Sequence, residues 1–462
     1  MSKTQRSSYF AYSHDQLRQL AEEALGHARA LGAADCAVDV SEGSGLSVNV
    51  RKGAVETIEQ NRDKSVSLTV YLGSTGTVRR GNASTSDFSA QALRETVEAA
   101  YHIARFTAPD DAAGLPEPEF IERAPRDFDL FHPWDLSAAA AVELGQRGEA
   151  AAYAVSPLVR NSDGASVSVQ HGQFVSANSR GFCGGYPYSR HSLAVSAIAS
   201  RKARGSGGMQ RDDWYVSARD PAELAAPEKL GDYAARRALA RLDGRKIPTC
   251  QAPVLFEAPL ATGLLGAFAQ AASGSALYRK SSFLVDALGQ ALFAPHIDIL
   301  DDPFIMKGMG SASFDEEGVS TRRRQVVAGG ILEGYFLSTY SGRKLGLPTT
   351  GNAGGSHNLS ITSRNTRAGD DFKAMLAQLH RGLVVTELMG QGVNYVTGDY
   401  SRGASGFWVE NGAIVYPVEE ITIAGNLRDM FRGIAAVGAD TIVRGNKACG
   451  SLLIESMTIA GD

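Results

Sequence analysis

Histidines are scarce and widely spaced in this chain: nine in 462 residues, none nearer than thirteen residues to the next. A helical zinc site needs two imidazoles about one turn apart so that both reach one ion, as in H-E-x-x-H. No such pair can be built here. The four cysteines, Cys36, Cys183, Cys250 and Cys449, contain no C-x-x-C spacing. That excludes a disulfide framework and predicts a reducing compartment. No apolar run approaches the roughly eighteen residues of a membrane helix. The formal net charge of -4 gives no basic face for broad nucleic-acid binding. Met1–Phe10 is polar and lacks an apolar signal core. Together these absences predict a cytoplasmic protein with neither a membrane nor a nucleic-acid partner. Phosphate-cradling glycine patterns are missing too, and Ser401 and Ser405 sit in no G-x-S-x-G elbow.

The length predicts more than one domain. Ser13 with Gln16 forms a capping-box pattern ahead of Leu17, Leu20, Ala21, Ala24, Leu25, Ala28 and Leu31, one helical face closed by Gly32. Three alternating runs follow, Cys36/Val38/Val40, Leu46/Val48/Val50 and Val66/Leu68/Val70/Leu72, each suited to a half-buried strand. A second helix is expected over about 87–106. This helix/antiparallel-sheet pattern makes residues 1–106 an N-terminal α+β domain. Five prolines from Pro109 to Pro133 make 107–136 an extended, ordered linker. Residues 137–246 repeat the helix-and-strand pattern: a helix from Ser137, strands across 159–176 and 191–198, a glycine-rich loop over Asn178–Tyr186, and a helix opened by Pro221. That last helix carries Arg236, Arg237 and Arg241 on its polar side. Residues 247–462 read as a β-rich, barrel-like C-terminal domain. It holds a small-residue helix over Leu260–Ala272, where Gly263-x-x-Gly266 suits close helix packing, and a hairpin around Gly329-Gly330. Arg322-Arg323-Arg324 follows Asp315-Glu316-Glu317, so those charges are expected to pair or to face solvent.

The most informative stretch is Gly382–Gly412. An apolar run leads into Gly390, Gly392, Gly398, Gly403 and Gly406, interleaved with Asn394, Thr397, Asp399, Tyr400, Ser401 and Arg402. Phe407–Glu410, Asn411-Gly412 and Ala413–Tyr416 then read as strand, type I′ turn, strand. A polar, glycine-rich loop between strands is where binding residues usually sit. A ligand-free connection in a tight barrel is the alternative. Tyr340, Arg343 and Lys344, in Ser338–Leu347, adjoin glycines near a strand end, and His357 sits in Gly354-Gly355-Ser356-His357-Asn358. For each of these residues, internal hydrogen bonding competes with substrate contact. Cys183 between glycines has nothing local to lower its thiol pKa, so it reads as a loop cysteine.

Gly382–Gly412, with Ser338–Leu347 before it and Glu420–Leu427 after it, resembles the PmbA (TldE) branch of the TldD/PmbA peptidase family. The likeness runs along most of the C-terminal half and more weakly through the rest. It implies pairing with a TldD-like chain in a heterodimeric zinc metallopeptidase that cleaves unfolded peptides, including a peptide-antibiotic precursor and an antitoxin. The catalytic branch carries a helical H-E-x-x-x-H motif with a later cysteine. The counterpart helix here, Leu260–Ala272, has neither histidine nor acid, and only Cys449 matches that cysteine as a vestigial ligand position. The resemblance therefore implies a non-catalytic subunit: no catalytic residue, no metal in this chain, and zinc in the TldD-like partner. Thr386, Asp399, Tyr400, Ser401, Arg402, Tyr340, Arg343, Lys344 and His357 are the substrate-binding candidates. A homodimer is plausible when the partner is absent. The alternative is a non-proteolytic regulatory binding protein of the gyrase-modulator kind.

Overall fold

The computed structural model describes residues 9–74, 76–201 and 208–461. Residues 1–8 of the polar stretch read from Met1 to Phe10 lie outside them. The chain is α+β. Its first part contains α1 (His14–Ala30), β1 (Asp35–Arg51), β2 (Ala54–Leu72), β3 (Arg79–Thr85) and α2 (Ala90–Phe106). After the proline-rich segment come α3 (Ala138–Ala154), β4 (Val159–Asn161), β5 (Ala165–Asn178), β6 (Cys183–Ser200), β7 (Met209–Ala218) and α4 (Pro227–Ala240). The Ser13 hydroxyl and the Gln16 side chain cap α1 reciprocally, as the sequence predicts.

Segments 1–106 and 137–246 share one seven-stranded antiparallel sheet, ordered β3-β2-β1-β5-β6, with β4 and β7 both on β6. The seam is β1 against β5, from Ala37 opposite Asn178 to Val50 opposite Ala165. The runs at Cys36/Val38/Val40 and Leu46/Val48/Val50, read as two strands, are one strand. Their spacing is even, so all six side chains fall on one face despite the polar Ser41–Gly45 interruption. Helices α1 and α2 cover one half of that face, and α3 and α4 the other. Two boundaries differ from expectation. Cys183–Tyr186 already belongs to β6, because backbone pairing with β5 continues to Cys183 opposite Ala177. Pro221 opens only a short 3-10 turn, and α4 begins at Pro227.

The C-terminal part runs β8 (Cys250–Phe256), α5 (Ala258–Ala271), α6 (Gly274–Tyr278), β9 (Ile297–Asp302), β10 (Arg324–Ala328), β11 (Ile331–Leu332), α7 (Thr339–Leu345), β12 (Asn358–Ser363) and α8 (Phe372–Leu379). It continues with β13 (Gly382–Met389), β14 (Asp399–Glu410), β15 (Ala413–Asn426), α9 (Leu427–Arg432), β16 (Ile434–Val437), β17 (Ile442–Arg444), β18 (Lys447–Cys449) and β19 (Leu452–Ala460). One sheet is ordered β11-β10-β9-β12-β18-β17. In the other, ordered β15-β14-β13-β8-β19-β16, β15 also pairs with β19 and closes a five-stranded barrel. Asn411 and Gly412 form the expected hairpin turn, both at positive φ (52° and 74°) as a type I′ turn requires. The continuous apolar run Leu383-Val384-Val385 is explained by burial on both faces. Leu383 and Val385 join the large core with Phe256 and Phe268, while Val384 packs under α8. Each fully buried phenylalanine stabilises the fold by roughly 1.5–3 kcal/mol.

Residues 107–136 form neither helix nor strand and make contacts with both parts. Asp110 bridges to Val78, and Ile121 to Val319. The Ser189 amide donates to the Leu130 carbonyl, and the Trp134 amide to His171 Nε2 at 3.1 Å. No helix among the described residues is long and apolar enough to cross a membrane.

Candidate functional site

Helix α5 follows β8 directly. Ala261, Leu265, Phe268 and Ala271 anchor one side of it in the core. Its other side borders a cleft of two adjoining compartments, of about 340 and 300 Å³, which share Pro259, Leu260, Thr262 and Leu388. Gly263 faces this space, since a Cβ added there would meet nothing within 4 Å. Close helix packing, the role predicted for Gly263-x-x-Gly266, therefore holds for Gly266 alone, against the Lys447 side chain.

The larger compartment is closed by an ion network. Arg237 reaches Asp212 Oδ1 at 3.1 Å and Glu257 Oε1 at 2.6 Å, and it donates to the Thr386 carbonyl at 3.3 Å. Arg241 pairs with Glu387 and, at 3.4 Å, with Asp212. Burial works against the charge on Arg237, but Glu257 and Asp212 hold its pKa above the usual arginine value. Arg237 on α4 and Arg241 just after it thus lie on the polar side the sequence predicts, but buried in an ion network, whereas Arg236 is exposed and pairs with Asp232. Arg444 stacks over Trp214 and Tyr215 at the rim. Within this network Glu257 Oε2 and Thr386 Oγ1 are buried without a hydrogen-bond partner.

The smaller compartment lies between α5 and β14. The sequence places Gly403 and Gly406 in a loop, but β14 begins at Asp399, and only 390–398 connects it to β13. Strand alternation then decides the outcome for the candidates. Tyr400 and Arg402 point into the compartment. Asp399 and Ser401 are exposed on the opposite face. Asp399 closes the turn by accepting from Thr397 Oγ1 (2.6 Å) and Asn426 Nδ2 (3.1 Å), contacts that lower its pKa. The connection is pressed onto β14 by a hydrogen bond from the Ser401 amide to the Gly392 carbonyl, 2.7 Å. Any side chain at Gly392 would collide with the Ser401 carbonyl. Tyr400 is only 3% exposed, yet no acceptor takes its hydroxyl proton. Burial raises its pKa to about 12, offset in part by the charge of Arg402 and by the closeness of that guanidinium to the phenol oxygen. Arg402 Nε is likewise buried and unpartnered. No acidic residue lines this compartment.

The remaining candidates are engaged elsewhere. On α7, Tyr340 donates to Asp110 at 2.7 Å, and Arg343 binds the carbonyls of Ala112, Gly114 and Leu115 together with Glu117. Lys344 pairs with Asp110 and Asp111. All three fasten the proline-rich segment. His357 is buried, its Nε2 donating to the Gly351 carbonyl at 2.9 Å. The arginine run pairs away from its preceding acids, Arg323 with Asp302 and Arg324 with Asp301. Cys183 is a partly buried strand residue beside the α1–α2 core.

The α5 face does not fit a zinc ion. Pro259, Leu260, Thr262, Gly263 and Gly266 offer neither imidazole nor carboxylate. Cys449 is fully buried, its thiol donates to the Gly450 carbonyl at 3.0 Å, and burial raises its pKa. A thiol so held is a poor thiolate ligand. Among the described residues no three His, Cys, Asp or Glu side chains converge as a ligand set.

Three segments match the domains of one family: residues 36–104 match PmbA/TldA metallopeptidase domain 1, residues 131–242 the central domain and residues 249–461 the C-terminal domain. Metalloprotease PmbA of Escherichia coli O157:H7 is 46% identical over 447 residues, 96% of this chain and 97% of its own. A Bacteroides thetaiotaomicron crystal structure, of a protein described as a proposed modulator of DNA gyrase, matches with TM-score 0.89 and 25% identity. It covers 96% of this chain and 99% of that one. The crystal structure of TldE from Thermococcus kodakarensis matches with TM-score 0.80, over 96% of this chain and 100% of that one. At 19% identity it shares the fold.

Proposed function

The chain belongs to the PmbA/TldD metallopeptidase family, and on that premise we propose that it is the non-catalytic subunit of a two-chain zinc metallopeptidase acting on unfolded peptides. One observation carries this reading: the helix α5 borders an open cleft but presents no residue able to bind zinc or move a proton. Zinc and the general base would come from a TldD-like partner. This chain would supply part of the peptide-holding wall through Thr386, Tyr400 and Arg402. Extended peptides pair through their backbones, which tolerates many sequences and suits unfolded substrates. In the partner's absence, a surface shaped for a homologous chain would accept a second copy. The cytoplasm is the compartment that fits four free cysteines.

The test is zinc content and cleavage, measured for this chain alone, for a TldD-like chain alone and for the mixture, with an unstructured peptide as substrate. The expected result is negligible zinc here after removal of adventitious metal, and cleavage by the mixture well above the sum of the parts. Near-stoichiometric zinc on this chain, lost on Cys449→Ala, or full cleavage by this chain alone, would overturn the reading. A second reading, a binding protein without proteolysis, draws on the gyrase-modulator description of the Bacteroides relative. It predicts no rate gain in the mixture.

A further inference from the structure

We propose that the compartment between α5 and β14 binds the C-terminal carboxylate of a peptide, with Tyr400 and Arg402 on the carboxylate and the last side chain against Leu260, Leu264 and Ala267. The argument starts from unmet demand. Buried polar groups are nearly always hydrogen-bonded, and one left bare costs about 1–3 kcal/mol. Here two donors side by side, Tyr400 Oη and Arg402 Nε, are both bare, and both belong to a cavity wall. Loop 390–398 is tied to that wall through the Gly392–Ser401 contact and the Val393–Tyr400 bridge.

The chemistry narrows the occupant. With no acid among the lining residues, the Arg402 charge calls for an anion from outside. A phenol whose pKa is raised to about 12 stays protonated at neutral pH, so it donates. One guanidinium and one hydroxyl match the two oxygens of a carboxylate. A phosphate dianion carries more acceptors and more charge than one guanidinium and one hydroxyl meet. The volume, about 300 Å³, is at the small end for ligand pockets and suits one apolar residue with its terminus. Gly263 and Ala267 keep the α5 wall low enough to admit it.

The inference rests on the peptide-handling reading for the origin of its ligand, but its test does not. The full chain alone is titrated calorimetrically with acetyl-Ala-Ala-Leu and with the same peptide as its C-terminal amide. The acid is expected to bind at least tenfold more tightly. Tyr400→Phe and Arg402→Gln should each remove most of that preference while melting no lower than the parent. Equal affinity for acid and amide, no binding of the acid at millimolar concentration, or an unchanged preference in both variants would each overturn the proposal. The acid-to-amide ratio of the parent chain is read without any variant, so a misfolded substitution does not blunt the test. Acid preference without stimulation of a TldD-like chain would sink the subunit reading and leave the pocket standing. Stimulation without acid preference would do the reverse.

Discussion

Helix α7 and strand β14 carry the same kinds of side chain, a tyrosine and an arginine in glycine-rich surroundings, and the fold treats them oppositely. On α7, the side-chain hydrogen bonds and ion pairs of Tyr340, Arg343 and Lys344 are all made to the segment 107–136. On β14, the Tyr400 hydroxyl proton and Arg402 Nε are buried and find no acceptor. Residue type does not separate the two cases; partnering does. A polar side chain whose demands the fold already meets is a fastener. One whose demands are left open beside a cavity is a candidate contact for a ligand.

Substitutions can break that contrast. The largest effect is expected at Arg343. Arg343→Ala deletes hydrogen bonds to three carbonyls and an ion pair with Glu117 at 2.7 Å, and should cost about 2–4 kcal/mol, read as a fall in melting temperature. A neutral outcome would erase the distinction between the two regions. A smaller effect comes from acid at another anchor of the same segment. His171 accepts the Trp134 amide, and burial, with His191 adding, lowers its pKa to about 4. In the unfolded chain this imidazole takes its proton near pH 6.5. Its contribution is therefore complete above about 6.5 and declines as pH falls towards about 4. Melting temperature followed over that interval should drop less in His171→Gln than in the parent; parallel curves would count against the assignment. Lys344→Met breaks a partly exposed pair and should cost no more than about 1 kcal/mol. Tyr400→Phe should cost no stability and gain up to about 1 kcal/mol, because it removes a buried hydroxyl whose proton finds no acceptor. A large loss there would mean the hydroxyl has a partner after all.

Much of this architecture is legible from residues alone, wherever the signal is local. The Ser13–Gln16 cap, the Asn411-Gly412 hairpin and the small-residue helix α5 all depend on neighbours within a few positions. What escapes is set by distant partners. Ser41–Gly45 looks like a break between strands, yet Glu42 in its middle accepts the amides of Ala11 and Tyr12 and is held by Gln173, so one strand runs through. The glycines at 403 and 406 suggest a loop, but β13 and β15 pair on both sides and keep β14 extended. That single difference decides which of Asp399, Tyr400, Ser401 and Arg402 share a face. Arg237 is beyond local inference, since its acids lie twenty and more residues away. No pattern in the sequence says that a donor will be left bare, because that is a property of the finished packing.

The fastening of 107–136 also fixes an order of events during synthesis. The carbonyls of Ala112, Gly114 and Leu115 wait for an arginine some 230 residues downstream. When the seven-stranded sheet has emerged from the ribosome, the strap that crosses it still lacks its buckle. It fastens only after α7 has been made, so the contact between the two parts through this strap is among the last features of the chain to form.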